Sequence, residues 1–357
     1  MPADRPTTLA DVAAAAGTTV PTVSKVLRGR SDVSAATRAR VMAAVDDLGY
    51  RGRAGRGLAP RGDRPPLVDL VLSGVDGTWA NRALSGVEQA ATAAGLDIVV
   101  SVARQPDDAW LTRLLARHSR GAVVALVDTT REQLATLTAA RVPVVLLDPV
   151  TQPPRTVASV GATNWAGGRA AAEHLLGLGH RRLAVLGGRR RHLYSQARVD
   201  GFRSAAAEAG ADLPDDRVVH GDWTRAGAAA LAAGLLAGPD RPTAVFACSD
   251  TMALGVYDAV AAAGLRVPDN LAVVGFDDLP EGEWVRPGLT TVHQPIAEMG
   301  AAALRMLLRL GDEPPAQPPV DAPREELATT LVVRGSTAPP PAAGADVENR
   351  RAAPSPG

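Results

Sequence analysis

Lysine is almost missing from this 357-residue chain: Lys25 is the only one, and every other basic side chain is arginine. Cysteine is equally scarce. A single Cys248 excludes an intramolecular disulfide and any metal cluster built on cysteine. Aromatics make up 3% of the residues, eleven in all, and five of those are tryptophan. No apolar run is long enough to cross a membrane, and the N-terminus has no hydrophobic leader. A cytoplasmic, nucleoid-associated location without a membrane partner is expected. The six histidines show no metal-ligand spacing, so neither a metal nor a cofactor is expected. Also missing are a G-x-G-x-x-G after the first apolar run, a P-loop and a G-x-S-x-G motif. Those absences argue against an enzyme.

Net charge is zero, yet its distribution is uneven. Residues 1–64 carry eleven Arg plus Lys against six Asp, a net of +5, and the rest of the chain therefore carries −5. A basic end on a neutral protein is the electrostatic footprint of nucleic-acid binding.

That basic end reads as three short helices over residues 1–50. Thr8 can cap the first, with Leu9, Val12, Ala13 and Ala16 inward and Gly17 as its stop. Thr19 caps the second, Pro21 sits in its first turn, and Val23, Val26 and Leu27 face inward. Ser34 caps a third, with Val41, Val45 and Leu48 inward. In a helix-turn-helix the N-terminal residues of the second helix reach base edges. Here those are Val20 and Pro21, which offer apolar contact, with Lys25 one turn on as a donor to guanine. Thr19, Thr22 and Ser24 suit phosphate contacts, and Arg28 is a further basic candidate.

The segment resembles the DNA-binding domain of the LacI (lactose repressor) family of bacterial transcription regulators. The matching residues are D-V-A at 11–13, Gly17, T-V-S-K-V-L at 22–27, V-S-x-x-T-R at 33–38 and L-G-Y at 48–50. The resemblance implies that the basic, Gly- and Pro-rich residues 51–65 form a hinge whose Leu58 wedges into the minor groove. The hinge departs from the family pattern. It is one residue shorter, and Gly55 and Gly57 would each cost about 1 kcal/mol in a helix.

From Pro66 the chain alternates short apolar runs with alanine-rich helical stretches. Strands are expected at 67–72, 97–101, 122–126, 144–147 and 157–160, then at 182–186, 217–220, 244–247 and 271–276. Helices are expected between them, as at 83–94, 166–178, 195–209 and 226–236. The pattern predicts an α/β core of two doubly wound parallel-sheet subdomains, with a ligand cleft where the strand C-terminal ends face each other. The tail 336–357, rich in Pro, Ala and Gly, is expected to be disordered.

The body is also similar to the LacI family, whose core has a periplasmic-binding-protein-like fold. The motifs are V-G-A-T-N-W-A-G-G at 160–168, Q-A-R-V-D-G-F at 196–202, A-C-S-D-T-M-A-L-G at 247–255, V-V-G-F-D-D at 273–278 and L-T-T-V-H-Q-P at 289–295. The resemblance implies discontinuous subdomains, one at 66–161 and 291–322 and the other at 162–290 and 323–335. It also implies effector contacts from Arg198, Trp223, Ser249 and Asp277. Trp79 and Trp165 follow strands and can stack on sugar faces or pack between subdomains. Asp148 ends the fourth strand and faces the same cleft. Trp110 reads as packing, and Trp284 is undecided. Asp250 can cap the helix beginning at Thr251, and Asp278 reads as structural. The run Arg189-Arg190-Arg191 reads first as a solvated loop and second as a gate at the pocket mouth.

The expected whole is a cytoplasmic homodimeric repressor of carbohydrate genes. Its partners would be a palindromic double-stranded DNA operator and a small effector, a mono- or disaccharide that causes release. The alternatives are a regulator corepressed by a purine or nucleoside, and a sugar-binding protein with no regulatory role.

Overall fold

The computed structural model describes residues 7–27, 33–48, 65–104, 108–211, 213–238, 240–312 and 321–340. Arg28, Leu58 and most of the hinge lie outside the described residues, as do 341–357 of the tail.

The N-terminal unit contains α1 (Leu9–Ala15), α2 (Val20–Leu27) and α3 (Ala35–Asp47). Each begins on a hydroxyl cap. Thr8 Oγ1 accepts the Asp11 amide at 3.4 Å while Asp11 Oδ2 accepts the Thr8 amide at 2.7 Å, a reciprocal capping box. Thr19 Oγ1 accepts the Thr22 amide at 3.4 Å, and Ser34 Oγ accepts the Thr37 amide at 3.2 Å. Gly17 leaves α1 at φ +59°, a conformation glycine adopts without steric cost. The core joins Val12, Ala13, Ala16, Val23, Val26, Val41 and Ala44. Leu48 corrects the sequence reading: α3 ends at Asp47, Ala44 supplies the inward contact, and Leu48 is 38% exposed in the turn beyond.

The second unit runs through β1 (Leu67–Leu72), α4 (Thr78–Ala93), β2 (Asp97–Val102), α5 (Ala109–Arg117), β3 (Ala122–Ala125), α6 (Arg131–Ala139), β4 (Val144–Leu147) and β5 (Ala158–Ala162). It crosses into a second lobe of α7 (Asn164–Gly177), β6 (Leu183–Gly187), α8 (Leu193–Glu208), β7 (Val218–His220), α9 (Arg225–Leu236), β8 (Ala244–Ala247), α10 (Asp250–Ala262), β9 (Ala272–Asp277), α11 (Glu281–Trp284) and β10 (Thr290–His293). It then returns for α12 (Ile296–Asp312) and β11 (Arg324–Leu327), and ends with β12 (Thr330–Val332).

The strand orders are β11-β5-β4-β3-β1-β2 in the first lobe and β12-β10-β9-β8-β6-β7 in the second. The first sheet is parallel throughout. The second is parallel except for β12, which runs antiparallel to β10. Near-continuous apolar strands suit sheets covered on both faces. Residues buried in β1, β3, β4 and β5 meet α4 and α12, and β6, β8 and β9 are flanked by clusters from α7 and α8 and from α9 and α10.

Two boundaries differ from expectation. The second lobe keeps the chain through His293, and 324–327 belongs to the first lobe, where Arg324–Leu327 pairs with 159–162 of β5. The β11 sequence R-E-E-L has no apolar alternation because it is a charged edge strand, a usual protection against edge pairing. The start of the tail is also corrected. Ser336 is fully buried: its hydroxyl donates to the Val273 carbonyl at 2.6 Å and accepts the Thr290 amide at 2.7 Å. Thr337 bonds His174 at 2.9 Å and the Ala338 carbonyl bonds His180 at 2.9 Å, so both histidines are structural.

One close approach sets up the site. Helices α7 and α8 touch at Gly168 and Gly201, where a Cβ would collide with the Arg198 and Trp165 carbonyls respectively. Side chains larger than glycine would push Asn164 and Arg198 apart.

Candidate functional site

The reading-head candidates occupy the start of α2. Val20 is 39% exposed, and Thr19, Pro21 and Lys25 are also exposed. Thr22 and Ser24 are half-buried, and the Thr22 hydroxyl bonds that of Thr19 at 2.9 Å. The inward face, Val23 and Val26, is buried. The surface left outward is therefore apolar at its tip, with hydroxyls and one ammonium beside it.

In the second unit, a cleft of about 520 Å³ opens between the lobes. Its walls are strand ends. Seven described non-glycine residues have positive φ, and four of them line this cleft: Leu126 after β3 (53°), Asp148 after β4 (49°), Trp223 beyond β7 (74°) and Asp277 ending β9 (107°). Such backbone costs about 1–3 kcal/mol per residue and persists only where surroundings enforce it. Here it turns two carboxylates and an indole into the gap.

Arg198 is the hub. It is 2% exposed, and its guanidinium lies 3.6 Å from the centroid of the Phe276 ring. Nε donates to Asn164 Oδ1 at 2.7 Å, and Nη1 donates to the Cys248 carbonyl at 2.6 Å and Asp277 Oδ1 at 3.4 Å. Nη2 donates to Gln294 Oε1 at 3.2 Å. Four of the five guanidinium N–H groups are thus engaged within the chain. A single Nη2 N–H, rather than a free bidentate fork, is left for a ligand. The larger role of this guanidinium is to hold Asp277 and Gln294 in place.

Gln294 lies in the crossover from β10 to α12 and is fully buried. Besides accepting from Arg198, it accepts from Trp79 Nε1 at 3.4 Å and donates to Asp148 Oδ2 at 3.2 Å. One amide therefore joins a carboxylate of the first lobe to the arginine of the second. Burial pushes the Asp148 carboxyl up, opposed by Arg198. It pushes Asp277 up to about 7, again opposed by Arg198.

An aromatic wall completes the second lobe's side. Trp223 lies 5.3 Å from Tyr194 and 6.0 Å from His192, ring centroid to centroid. Trp223 Nε1 donates to His192 Nδ1 at 3.1 Å, and the Tyr194 hydroxyl reaches the same atom at 2.8 Å. An indole can only donate, so Nδ1 accepts and the imidazole proton is on Nε2. Burial together with Arg191 and Arg189 lowers the His192 pKa to about 4, which keeps it neutral. Trp79, from the first lobe, lines the same cleft.

Several sequence assignments change. Trp165 does not join the cleft. It is 45% exposed and borders a second cavity of about 400 Å³, beside Arg169. Adjacent helical positions point about 100° apart, so with Asn164 directed at Arg198, Trp165 faces away. Ser249 lines the cleft, but its hydroxyl caps α10 by accepting the Met252 amide at 3.2 Å. That role was assigned to Asp250, which is instead fully buried, accepting from the Leu279 amide at 2.6 Å and the Thr291 hydroxyl at 2.5 Å. Arg189 and Arg191 are not merely solvated: both line the cleft, and Arg191 reaches Asp128 of the first lobe at 2.7 Å. Trp110 is buried at 2%, and Trp284 is 71% exposed. Asp278 is structural, held by Arg334 at 2.7 Å and His293 at 3.0 Å.

Sequence reading missed Asp128, His192, Tyr194, Asn164 and Gln294 as members of the site. One signal was available. Aspartate recurs at the ends of apolar strands, as V-D at 127–128, L-D at 147–148 and F-D at 276–277.

Residues 8–52 match the family described as bacterial regulatory proteins, lacI family, and residues 172–337 match the periplasmic binding protein-like domain. The chain is 34% identical to the HTH-type transcriptional regulator reg1 of Streptomyces lividans over 351 residues, covering 94% of this chain and 98% of that protein. The chain belongs to the lacI family of bacterial regulatory proteins. It is a DNA-binding transcription regulator rather than an enzyme, with a helix-turn-helix head and a two-lobed α/β body. Among solved lacI-type structures, a CelR–cellobiose complex aligns with TM-score 0.71 and 32% identity, covering 93% of this chain and all of that one. A lac repressor dimer bound to operator and the anti-inducer ONPF aligns with TM-score 0.68 and 28% identity, covering 94% and 100%. No helix among the described residues is long and apolar enough to cross a membrane.

Proposed function

We propose that this regulator is a cytoplasmic repressor of carbohydrate-utilisation genes, bound as a homodimer to a palindromic operator and released when a small sugar enters the cleft. The observation that carries the reading is the Arg198–Gln294–Asp148 chain, which links both lobes beneath a cleft walled by indoles. Carboxylates and amides suit sugar hydroxyls, and Trp79 and Trp223 suit the C–H faces of a sugar ring. The CelR complex, a relative in fold and sequence, holds cellobiose.

In this reading Asp148, Asp277, Ser249 and the last Arg198 N–H meet hydroxyls, while Trp79 and Trp223 stack. Trp165 is not assigned to the ligand. On DNA, Val20, Pro21 and Lys25 face bases, while Thr19, Thr22, Ser24 and Arg28 face phosphates. Leu58 is the minor-groove wedge. Release is linkage: the sugar has higher affinity for the lobe arrangement that fits DNA less well, and DNA weakens sugar binding by the same factor.

The test is fluorescence anisotropy of the full chain on its own upstream DNA at fixed salt, with and without a panel of sugars. Tight binding released by one sugar is expected. Tight binding released by no sugar but strengthened by a purine or nucleoside would replace this reading with corepression.

A further inference from the structure

The cleft changes character along its depth. At the buried inner end one guanidinium, Arg198, faces two carboxylates, Asp148 and Asp277. At the outer end the excess is the other way. Arg104 follows β2 in the first lobe and Arg189 follows β6 in the second; both are exposed and both line the cleft. Neither has an ion-pair partner among the described residues. Arg191 beside them is already neutralised by Asp128. Asp222 also lines the mouth: the Thr224 amide at 3.0 Å and hydroxyl at 2.7 Å bind its Oδ1 and, together with the charge of Arg189, hold it ionised. The mouth therefore sets three guanidinium groups against two carboxylates, an excess of one positive charge, with arginines on both lobes.

Two guanidinium groups on opposite lobes repel as the lobes approach. An anion between them replaces the repulsion with two charge-assisted, fork-shaped contacts. Such a group would select the ligand and also favour the closed arrangement. A neutral sugar would satisfy the inner end and leave the mouth unmatched.

We infer that the effector is an acidic sugar, an inference that rests on the sugar-released reading above. Its ring hydroxyls meet Asp148, Asp277 and Arg198, and one carboxylate or phosphate bridges Arg104 and Arg189 at the mouth. The cleft volume of about 520 Å³ accommodates one or two rings with that group attached.

The experiment uses the full chain. Intrinsic tryptophan fluorescence and operator release are titrated in parallel with glucose, glucuronate and glucose 6-phosphate, with the galactose counterparts, and with cellobiose and cellobiouronate. At least one acidic sugar is expected to bind about tenfold or more tighter than its neutral parent, and Arg104→Gln and Arg189→Gln are each expected to erase that preference. Preference for uronate or for phosphate identifies which anion the mouth takes. Neutral parents that bind as tightly as their acidic forms, or a preference that survives both substitutions, would overturn the inference and leave the sugar reading standing. If no sugar of either kind binds or releases DNA, the sugar reading itself falls, and this inference with it.

Discussion

The reading head and the cleft place their polar groups in opposite ways. In the head, a small core of valine and alanine is dry, and Thr19, Val20, Pro21 and Lys25 lie outside it. In the cleft, Arg198, Asp148, Asp277 and Gln294 are all nearly or fully buried. A surface site costs the fold little, because its side chains keep their water. A buried site must satisfy each donor and acceptor from within. Substitutions should therefore separate function from stability in the head and confound them in the cleft.

The largest effect should come from the head's core. Val23 is fully buried between α1 and α3. Val23→Asp places an unpaired carboxylate there, at a cost of about 4 kcal/mol or more. So small a unit should unfold. Specific DNA binding is expected to vanish while sugar binding stays at parental affinity, as calorimetry would measure. Loss of both together would show that head and body do not fold independently.

Next in size is Arg198→Met. It removes the countercharge of Asp277 and Asp148 and frees the acceptors of Asn164 and Gln294. Removing one partner from a buried pair costs about 3–5 kcal/mol. Thermal unfolding of the body should drop accordingly, and sugar should no longer release DNA. Val20→Ala, by contrast, should weaken operator binding without moving the melting temperature, which sharpens the contrast between the two regions.

That contrast also governs how much the sequence disclosed. The head was legible because its determinants are contiguous: a hydroxyl cap and an apolar stripe recur within residues 8–48, with a glycine stop at Gly17, and need no distant partner. The sheets were legible because their strands are apolar runs. The cleft was legible only in part. Asp148 stands at a strand end, where topology places ligands, while Asp277 and Trp223 were implied by the family resemblance. Arg198 was found, but its bonds within the chain were not, because its acceptors come from residues 164, 248, 277 and 294 and no local pattern shows them converging. The charged β11 and the docked Ser336 escaped for a related reason. Each is stabilised by a pairing far away in sequence rather than by its own periodicity.

A pH experiment probes the buried carboxylates directly. The Asp277 carboxyl holds its proton up to about pH 7 in the folded chain but only to its ordinary value of 3.8 when unfolded. Between those values the folded state binds the additional proton, so this group's contribution to stability falls as pH rises through the window. Asp148 and Asp250, also raised by burial, act in the same direction. Asp277→Asn cannot ionise. Relative to the parent it should therefore gain stability as pH goes from about 4 to about 7, as denaturant unfolding at each pH would show. A flat difference between the two proteins would mean that Arg198 fully compensates the charge.

The smallest expected effect is at the rim, where the cleft most resembles the head. The Arg191–Asp128 pair joins the lobes at 2.7 Å, with side chains 60% and 29% exposed. Exposed pairs contribute about 0.2–1 kcal/mol, so Asp128→Asn should leave the melting temperature almost unmoved. Its consequence for ligands is more informative, because two effects compete. Loss of the cross-lobe contact lets the mouth open more readily and should hasten release of a neutral sugar by up to about fivefold. The same substitution frees Arg191 beside Arg189, and that added positive charge should slow release of an acidic sugar. Stopped-flow dissociation of glucose and glucuronate from the parent and from Asp128→Asn separates these terms. Opposite changes for the two probes would mark a mouth that reads charge. Equal acceleration of both would mark one that merely latches.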